Sequence, residues 1–285
     1  MNDGQTICAD CADAMRRMDD ESVDLIYADP PFCTGRDFGD FNDRWGEYKG
    51  SRFVWVEEHH STQMASFVAY MDRRISQMRR LLKPTGSLYL HCDPTASHYL
   101  KITLDRIMGR EQYRNEIVWC YTGSNSPTKS FYPRKHDIIF FYAKSANNTF
   151  HKQHRPISSW HINRFRHRDS DGRQYYIHSK DSKGSPRKYY IDKCKGMPIL
   201  SWWSDINIIN SQAKERAGYA TQKPLRLLER IIESSTNEGD IVLDPFCGSG
   251  TALLTAKNLG RRYVGIDINR DALNKADERL KRALI

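Results

Sequence analysis

The apolar positions along the chain change period several times, and each change marks an element. Short β-branched and aromatic runs at 5–9 (QTICA) and 23–28 (VDLIYA) read as strands around an amphipathic helix at about 12–18. Between 33 and 62, Gly, Asp and aromatic residues follow no period, which predicts a long loop; compact domains usually keep such loops for function. Phe67, Val68, Met71, Ile75, Met78 and Leu82 then share one face of a helix over 64–82. KPTG ends that helix, SLYLH (87–91) is a strand, and SHYLKITLDRIM is a helix. EIVWCY (116–121) and DIIFFYA (137–143) are strands joined by a polar Gly/Ser/Pro loop. From about 150 to 200 the chain turns polar, basic and aromatic, with no helical period. Order returns with a helix at 224–235, whose first-turn proline lacks only an N–H that would go unused there. A strand (DIVLDPF), a glycine turn and helix (GSGTALLTAKNLG), a strand (RRYVGIDI) and a last helix complete the chain. Strands alternating with helices predict an α/β fold around a mostly parallel sheet. Residues 1–149 and 201–285 read as two halves of one domain, and 150–200 as an insert.

Composition narrows this picture. In 285 residues, 39% hydrophobic and 28% charged side chains can build a sizeable core. No apolar run approaches the ~20 residues that span a bilayer, and the start lacks the basic-then-apolar pattern of a secretory leader. A cytoplasmic protein away from membranes is expected. Seven scattered cysteines, with one CxxC at Cys8 and Cys11 and only His91-Cys92 as a further ligand candidate, predict reduced thiols and no metal. The net charge of +9 is concentrated: between His151 and Lys195 there are 12 Lys/Arg against 4 Asp/Glu. That segment is suited to a polyanion.

Two stretches carry candidate chemistry. In VLDPFCGSGTALLTAKNLGRRYVGIDIN, a strand runs into Gly248-Ser249-Gly250 and a helix, and a second strand ends in Asp267, 23 residues after Asp244. This is the logic of adenosine-cofactor binding: glycines admit the ligand to the backbone, and the distal acid accepts from ribose hydroxyls. The third fingerprint glycine is replaced by Leu253, and Asp244 would repel a pyrophosphate. A carboxylate there suits a cation, such as the ammonium of S-adenosylmethionine. After Asp267 only one helix remains, so the next strand must come from the N-terminus, with Asp10 reaching the cofactor's adenine amine. The order is that of a circularly permuted sheet.

The second stretch is DLIYADPPFCTG (24–35). Pro30 and Pro31 lack N–H donors and cannot continue a ladder. With Asp29 they form an acceptor-only corner for an amino group bearing two hydrogens, and Phe32 offers a face to a flat ring. An exocyclic base amine fits these features. Such an amine is buried in a duplex, so its base must be flipped out.

ADPPF resembles the catalytic motif of amino-methyltransferases, and LDPFCGSGTALLTAKNLGRRYVGIDI resembles the SAM-binding motif of the β class of DNA amino-methyltransferases. GYATQKPLRLLERIIESS, LLKPTGSLYLHCD and KHDIIFFYAK resemble further blocks of that class, in its order. The resemblance implies a Rossmann-like methyltransferase fold with a seven-stranded sheet, one strand reversed, and an inserted target-recognition region. It implies S-adenosylmethionine as cofactor and double-stranded DNA as substrate. Asp29, Pro30, Pro31 and Phe32 would be catalytic. Asp10, Cys11, Asp29, Thr221, Gln222, Lys223, Asp244, Phe246, Gly248, Gly250, Thr251 and Asp267 would bind the cofactor, with 221–223 near its methionine end. Asp rather than Ser before the prolines implies adenine N6; cytosine N4 and an RNA base amine are the alternatives. Arg164, Arg166, Arg168, Arg173, Tyr175, Tyr176, Arg187 and Lys188 of the insert would contact DNA, cations on phosphates or guanine edges and rings by wedging or stacking. The loop at 33–62 is expected to be mobile and to close over the DNA. A homodimer, a companion restriction endonuclease and a place at the nucleoid are further implications of the resemblance.

Overall fold

The computed structural model describes residues 4–35, 43–47, 49–50, 52–123, 128–180, 182, 184–210, 212–213, 215–219 and 221–282. In chain order the elements are β1 (Gln5–Cys8), α1 (Cys11–Arg16), β2 (Val23–Ala28), α2 (Val54–His59), α3 (Thr62–Leu81), β3 (Leu82–Cys92), α4 (Pro94–Met108), β4 (Tyr113–Cys120) and β5 (His136–Ala143). They continue with β6 (His154–Arg155), α5 (Ser159–Ile162), β7 (His167–Arg168), β8 (Gln174–Lys180), β9 (Pro186–Tyr190), β10 (Met197–Pro198) and β11 (Trp202–Trp203). The last are α6 (Leu225–Ser235), β12 (Ile241–Asp244), α7 (Thr251–Asn258), β13 (Arg262–Asp267) and α8 (Arg270–Arg282).

The main sheet has eight strands in the order β1-β13-β12-β2-β3-β5-β4-β11. The seven strands expected from sequence are all present, and β5 alone runs against its neighbours. The eighth is β11, which pairs parallel to β4 through Trp202 and Trp203. As expected, the N-terminal strand completes the C-terminal half: Gln5–Cys8 pair with Val264–Asp267, and α8 packs against β1. Strand β2 is buried at every position, as a central parallel strand must be. Its one acid, Asp24, is compensated by Lys83 Nζ (2.7 Å) and the Ile241 N–H (2.9 Å). Helix α3 buries Met64, Phe67, Val68, Met71, Ile75 and Met78 completely, in one core with β2, β3 and β5.

Helix α2 lies within 33–62, where no element was expected; residues 36–42, 48 and 51 of that loop are outside the described residues. The chain divides into two compact units, one of residues 1–151 with 201–285 and one of residues 152–200. The smaller holds the antiparallel ribbon β7-β8-β9 and the pair β6-β10. Among the described residues no helix is long and apolar enough to cross a membrane.

Candidate active site

Four neighbouring strands, β1, β13, β12 and β2, end along one edge of the sheet, and each delivers a carboxylate there: Asp10, Asp267, Asp244 and Asp29. At ~4.8 Å between strands this row spans ~15 Å. The cleft above it is lined by all four acids and by Cys11, Pro30, Pro31, Phe32, Thr221, Gln222, Lys223, Phe246, Gly248 and Thr251. Carboxyl strand ends at a change of winding are where open α/β sheets bind ligands.

Asp244 is almost fully buried, and its Oδ1 accepts the Phe246 N–H (3.0 Å). Burial, with the nearby charges of Asp29 and Asp267, pushes its carboxyl well above the ordinary range. Asp267 accepts the N–H groups of Gly248 and Asn269 (both 2.8 Å), yet burial raises its carboxyl too. Acids that are costly to ionise become cheaper to ionise beside a cation, so the donor set fits a positively charged ligand.

The two glycines of the turn have different reasons. Gly248 has φ +48°, and a Cβ there would meet the Tyr219 ring at 2.9 Å at the cleft wall. Gly250 does not line the cleft; at φ +74° it starts α7, and a Cβ would meet that of Ala276 in α8 at 2.7 Å. Leu253, in place of the third fingerprint glycine, lies where a Cβ on Gly265 of β13 would be 2.3 Å away. The close helix–strand approach uses a glycine on the strand instead of the helix.

Asp10 is more occupied than expected. Its Oδ1 caps α1 by accepting the Ala12 N–H (2.8 Å), and its Oδ2 pairs with Arg74. The Arg74 Nε reaches Cys11 Sγ (3.2 Å), and the guanidinium lies 3.2 Å from the Tyr70 ring centroid. Burial keeps Cys11 a neutral thiol, pushed up to about 11. Arg74 and Tyr70 were not singled out in the sequence; their helical face looks like ordinary amphipathic core. Gln222 is held within its own loop, accepting from the Ala217 N–H (2.6 Å) and donating to the Glu215 carbonyl (2.7 Å). Thr251 Oγ1 accepts from Arg279 (3.2 Å).

At the Asp-Pro-Pro turn the Lys223 ammonium pairs with Asp29 Oδ2 (2.6 Å) and lies 5.1 Å from the Phe32 ring centroid, a contact the sequence does not indicate. Asp29 Oδ1 is buried and has no hydrogen-bond partner among the described residues. Behind it, His91 is fully buried with Nδ1 3.9 Å from that oxygen. His91 Nδ1 is 2.9 Å from the Tyr27 hydroxyl, and Nε2 is 3.0 Å from Asp137 Oδ2. Burial and the surrounding carboxylates hold Tyr27 protonated, far above the usual phenol range. Burial alone would raise Asp137, but the His91 hydrogen bond brings it below the ordinary carboxylate value. An ionised Asp137 only accepts, so Nε2 carries a proton towards it. In the neutral imidazole Nδ1 then accepts from Tyr27, turns no hydrogen towards Asp29, and leaves Oδ1 its acceptor capacity. His91 was visible in the sequence only as a metal-ligand candidate; its role depends on strands β2, β3 and β5 lying side by side.

In the unit of residues 152–200, rings and cations are sorted by the ribbon. Phe165 is buried and packs against Tyr176 (5.0 Å between centroids) and Tyr189 (6.4 Å). Arg164 covers Tyr176 (4.6 Å), Lys188 covers Tyr175 (4.7 Å), and Arg173 covers Tyr190 (4.2 Å) while pairing with Asp192 (2.6 Å). Tyr175 and Tyr176 thus pack within the ribbon, each half-buried beneath a cation. Arg168 donates to the Gly172 carbonyl (3.1 Å) and Arg166 to that of Asn163 (2.8 Å). Arg164, Arg166, Arg168, Arg187 and Lys188 are all exposed.

The sheet is permuted and mostly parallel, with an acid-rimmed cleft and a donor-free proline corner. The family model described as DNA methylase, for N6 and N4 methyltransferases, matches residues 23–278, and the chain belongs to that family. It is 30% identical to the type II methyltransferase M.HpaI of Haemophilus parainfluenzae, over 98% of this chain and 74% of the relative. To the DNA adenine methyltransferase YhdJ of Escherichia coli (strain K12) it is 28% identical, over 98% of this chain and 83% of the relative. Among solved structures, the PvuII DNA methyltransferase (cytosine-N4-specific) superposes with TM-score 0.66 at 14% identity, covering 98% of this chain and 86% of that one. A putative DNA modification methylase of Thermus thermophilus, complexed with S-adenosyl-L-methionine, gives TM-score 0.58 at 19% identity, covering 98% and 93%.

Proposed function

We propose that this DNA methyltransferase modifies the N6 amine of adenine flipped out of duplex DNA. S-Adenosylmethionine is the cofactor, and when bound it supplies a methyl group on a sulfonium centre. The observation that carries the reading is the buried, unpartnered Asp29 Oδ1 beside Phe32. Asp29 Oδ1 accepts one amine hydrogen and the proline corner's carbonyl accepts the other, which draws the nitrogen lone pair out of the ring. Phe32 stacks on the base and fixes its plane, a contribution of roughly 1–3 kcal/mol. Lys223 holds Oδ2 in place, and the Asp29 carboxylate takes the proton that the methylated amine must lose. The row of Asp244, Asp267 and Asp10 receives the cofactor's cationic and polar groups. Positioning and fixed charge carry most of the rate.

Adenine is favoured because Asp precedes the two prolines and because a relative of 83% coverage is named an adenine enzyme. The second reading is cytosine N4, since the family spans both amines and an acceptor corner suits either. Incubation with labelled S-adenosylmethionine and phage λ DNA, followed by hydrolysis to nucleosides, should place the label in N6-methyldeoxyadenosine; label in N4-methyldeoxycytidine transfers the assignment to cytosine. The exposed cations of residues 152–200 would follow the DNA backbone. Arg166→Ala with Arg187→Ala is expected to weaken duplex binding and lower the slope of log affinity against log salt by about 2. An unchanged slope counts against that surface. A homodimer, a companion endonuclease and a cytoplasmic, nucleoid-associated location belong to this proposal through the family resemblance.

A further inference from the structure

The loop between β4 and β5 displays an unusual surface. Tyr132 is 94% exposed and Phe131 62% exposed, adjacent rings that join no aromatic cluster among the described residues. The Thr128 hydroxyl donates to the Phe131 carbonyl and closes a bend that presents both rings. Lys129, Pro133 and Arg134 on either side are also exposed. From Tyr121 to His136 the chain has Lys129, Arg134 and Lys135 and no Asp or Glu.

The stem of this loop is tied to the candidate catalytic corner. β5 runs against β3, so its first residues lie at the same sheet edge as the end of β2, with Ile138 opposite Cys92 and Ala28 opposite Leu90. Two strand spacings put the stem ~10 Å from Asp29. Tyr121 donates to Asp137 Oδ1 (3.0 Å), joining the two ends of the loop, and Asp137 Oδ2 holds His91, which faces Asp29. The stem that carries these rings thus stands beside the place where a base would be received.

We propose that residues 128–135 form a second DNA-contacting element, in which Phe131 and Tyr132 enter the duplex at the target base while Lys129 and Arg134 hold phosphates. Exposed rings outside any cluster suit a partner with flat faces, and cations without interspersed acids suit an anion; duplex DNA supplies both. Flipping a base leaves a gap in the stack, and a ring inserted there slows the base's return. The inference rests on DNA being the substrate, and it adds to the 152–200 surface a contact from the catalytic unit itself.

Two measurements test it: duplex affinity by fluorescence anisotropy, and methyl transfer to phage λ DNA from labelled S-adenosylmethionine. Phe131→Ala with Tyr132→Ala should reduce the transfer rate by about tenfold or more, as expected for losing a stacked ring. Tyr132→Trp in the Phe131→Ala background should recover most of it, and cofactor affinity should be unchanged, because neither ring lines the cleft. Lys129→Ala with Arg134→Ala should weaken duplex affinity and lower its salt slope by about 2. Wild-type affinity and transfer rate in both double variants would overturn the proposal. So would a change in sedimentation from dimer to monomer on removing the rings with DNA binding unaltered, since the surface would then belong to a second copy of the chain. If the wild type binds duplex but transfers no methyl group, the functional reading fails, and the anisotropy arm alone still decides the loop.

Discussion

Asp29→Ala is expected to abolish methyl transfer while leaving cofactor binding largely intact. The substitution removes the acceptor Oδ1 and the site that takes the amine proton in one step. Losing a positioned base or an electrostatic stabiliser typically costs about 10²–10⁴ in rate, and here both are lost. It also releases Lys223, whose ammonium is paired with Oδ2 at 2.6 Å, beside the face of Phe32. A lysine left unpaired beside that ring gives the base amine a donor where it needs an acceptor. Asp29→Asn should do no better: it keeps the shape but loses the charge that Lys223 matches. Single-turnover transfer rates and a cofactor titration on the same samples check this. Full activity in Asp29→Ala would remove the proposed mechanism; loss of cofactor binding in proportion to activity would reassign Asp29 to the cofactor.

Asp244→Asn is expected to have the opposite pattern, with cofactor affinity lost and the unliganded protein stabilised. Breaking a buried charge pair typically costs about 2–5 kcal/mol, so affinity should fall by roughly 30-fold to several thousand-fold. The stability effect follows from burial. The Asp244 carboxyl is raised well above its unfolded value in the fold. Its protonation therefore favours folding; that contribution is complete below the unfolded value and is lost as pH rises through the folded one. At neutral pH the wild type carries this cost and the amide variant does not, so the variant should melt higher without cofactor and gain little when cofactor is added. In the wild type, a cation in the cleft favours the ionised form, so binding should release protons. Affinity should fall as pH is lowered through the free protein's Asp244 value, and the calorimetric binding enthalpy should depend on the buffer's ionisation enthalpy. A pH-independent, buffer-independent enthalpy would place the cofactor's charge away from Asp244.

Much of this site is visible as local pattern. The strand ends at Asp29 and Asp244 are each followed directly by proline, and the order of the motifs brings β1 beside β13 before any coordinate is known. Features made by contact between distant segments were not visible. The Lys223–Asp29 pair joins residues 194 apart, and the Arg74–Asp10 pair residues 64 apart. Nothing in TQKP or in the α3 repeat indicates where those cations end. β11 has only two residues, too few to show a period; it exists because β4 leaves an edge to pair with. In residues 152–200, composition showed that rings and cations alternate, but only the pairing of β8 with β9 shows Tyr175 opposite Tyr190 and Tyr176 opposite Tyr189, in clusters of their own. Tyr132, beside Phe131, is 94% exposed, in a loop that reads simply as polar.

The central claim, that the acceptor corner at Asp29 methylates adenine in DNA, is tested most directly by sequencing the DNA of cells expressing this protein for modified bases, with the Asp29→Ala variant alongside. The expected result is N6-methyladenine at every copy of one short sequence with the wild type and at none with the variant. Modified cytosines in place of adenines, or the same adenine pattern in the Asp29→Ala cells, would contradict it.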